Sequence, residues 1–154
     1  MFNIVLFQPK IPPNTGNIVR LCKNTGSKLH LIKPLGFDIS EKSVKRAGMD
    51  YFEFENILIY ENFEEFIISR EERNFFLITK FGKISYEKAK YNFGDYFIFG
   101  SEDDGLSDEV LKRLKNSPKV FIPMMPTNRS LNLSNAVSIC VYEAWRQNKF
   151  NILK

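Results

Sequence analysis

The chain has 154 residues, 44% hydrophobic and 26% charged, and carries a net charge of +4. That size and composition suit one compact core and exclude a disordered chain, and no apolar run approaches the roughly 20 residues of a membrane helix. The modest basic excess permits an anionic partner such as RNA without requiring one.

Asn3 to Phe7 reads as an opening strand, after which Pro9, Pro12 and Pro13 are expected to break regular structure. Asn14 or Thr15 then caps a helix through Ile18, Val19, Leu21 and Cys22, stopped by Gly26. Lys28 to Lys33 is a second strand, ended by Pro34 and Gly36. Ser40 caps a short basic helix through Val44 and Ala47. Asn56 to Tyr60 is a short strand and Phe63 to Ser69 a helix. Phe75 to Thr79 and Asp95 to Gly100 are strongly apolar strands. Ser107 opens a helix through Val110, Leu111 and Leu114, with Asp108 and Glu109 at its favourable end. Lys119 to Met124 is a last strand, and Leu133 to Gln147 a last helix.

Strands and helices therefore alternate, and several strands are apolar throughout, as when both faces of a sheet are covered. The pattern predicts one α/β domain over residues 1–154 with a mostly parallel sheet. Ligands of such sheets bind at the carboxyl ends of strands. Three polar loops stand at such ends: Asn14 to Arg20, Gly100 to Gly105 and Asn128 to Asn135. The third holds three asparagines and two serines within eight residues, more than one helix cap requires. Asn14, Asn17 and Arg20 are spaced to lie along one helix edge, and Arg20 offers a planar fork for phosphate or carboxylate. A surface salt bridge explains Arg20 equally well.

Other signals are negative or ambiguous. Cys22 and Cys140 fall in helical apolar patterns and are expected as buried free thiols. His30 is the single histidine, set in an apolar strand, and no Cys/His pair has zinc spacing. Lysine and arginine cluster at Lys42, Lys45 and Arg46, and again at Lys80, Lys83, Lys88 and Lys90; each cluster is either a solvated face or a contact for an anion. No phosphate-binding glycine motif occurs. The start, Met1-Phe2-Asn3-Ile4, lacks a basic leader, so a cytoplasmic protein with no membrane partner is expected.

The motifs taken together resemble a known family. Ile11-Pro12-Pro13-Asn14-Thr15-Gly16-Asn17-Ile18-Val19-Arg20, Arg46-Ala47-Gly48-Met49-Asp50-Tyr51, Phe99-Gly100-Ser101-Glu102, Ile122-Pro123-Met124, Arg129-Ser130-Leu131-Asn132-Leu133-Ser134-Asn135-Ala136 and Tyr142-Glu143-Ala144-Trp145-Arg146 are similar to segments of the SPOUT-class RNA ribose 2′-O-methyltransferases. The likeness is greatest to the small tRNA (cytidine/uridine) enzymes that modify the wobble nucleotide. It implies a C-terminal trefoil knot, a homodimer, S-adenosylmethionine as cofactor with S-adenosylhomocysteine as product, no metal, and the tRNA anticodon stem-loop as partner. It also implies a cofactor pocket at Ile78, Gly100, Ile122, Ser130 and Leu131, with Gly100 leaving room for the ligand. Asn132 and Ser134 would fix the loop and help orient the methyl group, and Arg20 would be catalytic. Relatives often carry Thr-Arg where this chain has Asp103-Asp104, which adds negative charge beside a loop expected to face RNA unless Asp104 points to solvent or pairs with a lysine. Another tRNA or rRNA position, or RNA binding without turnover, are the competing readings.

Overall fold

The computed structural model describes residues 1–38, 57–70 and 73–152. Seven strands form one parallel sheet: β1 (Asn3–Phe7), β2 (Lys28–Ile32), β3 (Ile57–Tyr60), β4 (Phe75–Ile78), β5 (Ile84–Ser85), β6 (Tyr96–Phe99) and β7 (Lys119–Phe121). Their order across the sheet is β3-β2-β1-β6-β4-β7-β5. Four helices are described: α1 (Pro12–Thr25), α2 (Phe63–Ile67), α3 (Asp108–Arg113) and α4 (Leu133–Gln147). The alternation read from the sequence is thus the observed architecture. The basic helix expected after Ser40, with the Lys42, Lys45 and Arg46 cluster and the Arg46–Tyr51 motif, lies outside the described residues.

Alternate strand residues feed two cores. Ile4, Leu6, Leu29, Leu31, Phe97 and Phe99 meet α1 and α4 through Ile18, Val19, Cys22, Val137, Cys140 and Val141. Val5, Phe7, Ile32, Leu77 and Ile98 meet α2 and α3 through Phe63, Phe66, Ile67 and Val110. Every second side chain of a strand points to the opposite face, so strands covered on both sides must be apolar throughout. Both cysteines are free and buried in the first core, and burial pushes both thiols up to about 12.

Three local expectations change. Pro12 and Pro13 do not break structure but form the first turn of α1, where a missing N–H costs nothing because it has no partner in the helix. Asn14 and Thr15 are therefore inside the helix, and the N-cap is Ile11, whose side chain cannot cap. The last strand stops at Phe121, short of Pro123, which has no N–H to offer a ladder. The two-residue β5 was too short to show a pattern. Gly26 does end α1, in the left-handed conformation, and Ser107 does cap α3 by accepting from the Val110 N–H.

β1 and β6 are neighbours whose connections leave in opposite directions. β1 runs through α1 to β2 on one side, and β6 runs through α3 to β7 on the other. α1 lies on the first core and α3 on the second. Chains diverging from adjacent parallel strands open a crevice at the carboxyl edge, where ligands of such sheets bind.

Candidate active site

The loops at that crevice are tied together by side chains. Glu102, just past β6, accepts from the backbone N–H of Lys10 at 2.8 Å and of Ile11 at 3.1 Å. These groups lie just before α1, so a carboxylate from a distant loop fixes the chain where it enters the helix. Glu102 also accepts from Asn14 Nδ2 at 3.0 Å. Asn14 Oδ1 in turn accepts from Asn132 Nδ2 at 2.9 Å. The Asn132 Oδ1 caps α4, taking the Ser134 N–H at 2.9 Å and the Ser134 hydroxyl at 2.7 Å. One chain of bonds, Ser134–Asn132–Asn14–Glu102, thus joins the three polar loops. Partial burial pushes the Glu102 carboxyl up, but the donors from Asn14, Lys10 and Ile11 outweigh it and hold it below the usual carboxylate range.

Glu102→Ala removes the acceptor for three donors at once. Hydrogen bonds to a charged group each contribute about 1.5–3 kcal/mol, and water reaching this half-exposed loop recovers part of that. The expected loss in urea unfolding is about 2–4 kcal/mol. A loss within experimental error would mean that Glu102 does not hold the loops together.

Gly100 is buried, and the place its Cβ would occupy is already filled. That point lies 1.9 Å from the Gly105 carbonyl carbon and 2.2 Å from the Leu106 nitrogen. The glycine is required by the closure of the Ser101–Gly105 hairpin on itself. Its neighbours at the edge follow from register. Ile78 pairs with Phe99 on one side and Val120 on the other, so Ile78 ends β4 while Gly100 and Ile122 directly follow the two strands beside it. Ile78 and Ile122 are half-buried, and Leu131 is 39% exposed. Ser130 is exposed in the loop before α4.

Arg20 stands apart from this network. It is exposed on α1, six residues beyond Asn14, which is about 9 Å along the helix axis. Asn17 is exposed with it, whereas Asn14 turns inward, so the predicted edge divides into one buried end and two solvent-facing residues. Among the described residues no carboxylate forms an ion pair with Arg20. The surface salt bridge weighed for it is not formed among them.

The acidic pair has a partner. Lys10 Nζ lies 2.6 Å from Asp104 Oδ2 and 3.4 Å from Asp103 Oδ2. Pairing with a lysine is one of the readings the sequence leaves open for these acids, and Lys10 is the lysine that fills it. His30 is a core residue, with Nδ1 3.0 Å from the Tyr60 hydroxyl and Nε2 3.2 Å from Asn3 Oδ1. Burial, aided by the charges of Arg70 and Lys28, lowers it to about 4, so it is neutral near pH 7 and sits away from the loops. Among the described residues no group of three His, Cys, Asp or Glu is placed to hold a metal ion, and no helix is long and apolar enough to cross a membrane.

The chain has extensive relatives. It is 49% identical over 150 residues to the tRNA (cytidine(34)-2′-O)-methyltransferase of Methylovorus glucosotrophus, covering 97% of each chain. A solved structure described in work on 2-OH methylation of C/U34 on tRNA superposes with a TM-score of 0.87 at 40% identity, over 98% of both chains. An AdoMet-bound rRNA methyltransferase from Sinorhizobium meliloti superposes with a TM-score of 0.81 at 25% identity, over 94% of this chain and 56% of that one. The SpoU rRNA Methylase family matches residues 1–142. With that match over most of its length, the chain belongs to the SpoU rRNA Methylase family.

Proposed function

We propose that this chain transfers a methyl group from S-adenosylmethionine to the ribose 2′-hydroxyl of the wobble nucleotide of tRNA, a cytidine or a modified uridine. The observation that carries the reading is its 49% identity, across 97% of both chains, to an enzyme named for the 2′-O-methylation of cytidine 34. The loop network at the carboxyl edge supports it, because a methyl-transfer site must hold its parts rigidly.

The residues present suit the cofactor. Ile78, Ile122 and Leu131 leave apolar surface incompletely covered beside a loop rich in hydrogen-bonding groups. A flat base fits the former, and the polar methionyl end fits backbone at Gly100 and Ser130. When bound, S-adenosylmethionine supplies a methyl already activated on a positively charged sulfur. Asn132 and Ser134 keep the loop before α4 in one conformation. Arg20 clamps a phosphate of the RNA through its planar fork and so positions the 2′-hydroxyl. A guanidinium scarcely deprotonates in a protein, which disfavours Arg20 as a general base. In-line attack depends chiefly on holding the oxygen close and aligned.

The wider setting follows from the same reading. The anticodon stem-loop is the part of tRNA engaged. Residues 1–154 act as a single domain with the C-terminal segment threaded as a trefoil knot, and the protein works in the cytoplasm as a homodimer. Apolar groups beside α1 and along and beyond α4 support a subunit contact: Ile11 is 43% exposed, Tyr142 46% and Ile152 74%.

Purified protein is incubated with labelled S-adenosylmethionine and tRNA from cells lacking the gene, and the label is located by mass spectrometry after digestion. A 2′-O-methyl on the wobble nucleotide is the expected result. Label at another nucleotide would retain the chemistry and discard the target, and absence of both label and cofactor binding would overturn the reading.

A further inference from the structure

The turn after β4 holds an aromatic ring out in solvent between two lysines. Phe81 is 78% exposed and lies outside both hydrophobic clusters. The Lys80 ammonium sits 5.2 Å from its ring centroid, and Lys83 is exposed two residues on. The backbone beneath is held firmly. Thr79 N–H donates to the Val120 carbonyl at 2.9 Å, Gly82 N–H to the Thr79 carbonyl at 3.0 Å, and Lys83 N–H to the Lys119 carbonyl at 2.9 Å. The Phe81 N–H donates to Thr79 Oγ1 at 3.3 Å. At Gly82 the turn presses on β7 so closely that a Cβ would stand 2.5 Å from the Val120 carbonyl carbon.

A lone exposed apolar side chain is ordinary. This one differs in two respects: its backbone is immobilised, and its neighbours are cations. Burial of a ring against protein would leave Lys80 and Lys83 near an apolar contact, where their charges are costly to desolvate. An unpaired nucleobase with its phosphates satisfies all three residues, since the base stacks on the ring and the lysines meet the backbone. The turn also begins one residue after Ile78, so the ring stands at the rim of the carboxyl edge where the loops converge.

We infer that Phe81 is a stacking platform for an unpaired base of the RNA substrate, with Lys80 and Lys83 on the adjoining phosphates. This rests on the methyl-transfer reading above. It assigns a use to part of the basic cluster that the loop network leaves unexplained.

The test is the apparent KM for unfractionated tRNA from a strain lacking the gene, with cofactor affinity measured separately by calorimetry. Phe81→Ala and Phe81→Leu are each expected to raise that KM about tenfold, because neither offers a π face, while Phe81→Trp keeps it near the parent value. Lys80→Ala and Lys83→Ala should each flatten the dependence of KM on salt, as loss of a phosphate contact does. Cofactor affinity should stay unchanged in all of them. An unchanged KM in both Phe81→Ala and Phe81→Leu, with the parent protein active, overturns the stacking role alone. Weakened cofactor binding, or dissociation of an oligomer, would assign Phe81 to the cofactor pocket or to a subunit contact and overturn it too. If the parent protein methylates no tRNA, the underlying reading fails first and this one with it.

Discussion

Gly100→Ala is expected to be the most damaging single methyl in the described fold. The added carbon would stand 1.9 Å from the Gly105 carbonyl carbon and 2.1 Å from its oxygen. Both are backbone atoms, so no rotamer change relieves the clash, and the hairpin closed by the Ser101 and Gly105 bonds must open. Opening it also moves Glu102 from Lys10, Ile11 and Asn14. A cost of about 4 kcal/mol or more is expected, a large share of the stability of an ordinary domain. Gly105→Ala is the control within the same hairpin. Its Cβ would meet nothing within 4 Å, and only the left-handed φ of +69° penalises it. That conformation costs about 1–2 kcal/mol for an L-residue. Urea unfolding of the two variants should therefore separate them clearly. Equal midpoints would show that the hairpin is not closed as described.

Arg20→Lys is the second large effect, and it falls on activity alone. Arg20 is exposed and pairs with no carboxylate among the described residues, so its replacement should leave unfolding midpoints where they are. Lysine keeps the charge but loses the planar fork that grips a phosphate through two bonds. Methyl transfer under single-turnover conditions should slow at least about tenfold in Arg20→Lys and about a hundredfold in Arg20→Ala, as when a reacting group is misplaced by about 1 Å. Full turnover in Arg20→Lys would discard the two-bond clamp. A rate that rises with pH around neutrality and loses that rise in Arg20→Ala would point to proton transfer instead of positioning.

The elements were legible where local chemistry decides them. β1, α2, α3 and α4 carry their own apolar patterns and caps, and Gly26 and Ser107 act as their residue types suggest. The start of α1 was misread because Ile11 is no capping residue, and its acceptor comes from Glu102, 91 positions away. No window around Pro12 contains that information. Of the short polar residues in the Asn128–Asn135 loop, helix capping uses only Asn132. The second partner of Asn132 is not written locally: its Nδ2 meets Asn14 across 118 positions. Of the readings open for the acidic pair, a charge facing RNA, a carboxylate in solvent or a pair with a lysine, the structure forms the lysine pair, through Lys10.

By itself the sequence determined the alternating α/β class, the strands apolar on both faces, the free buried thiols and the motifs that mark the family. Those properties depend on residue type and on periods of two or 3.6 residues, which a linear reading detects. Only the tertiary structure decided that β1 and β6 lie side by side, that their connections diverge, and that Glu102 bridges the loops there to Lys10, Ile11 and Asn14. Strand order in a parallel sheet is set by crossovers and by which faces can be buried together, and a hydrogen bond across a crevice depends on that order.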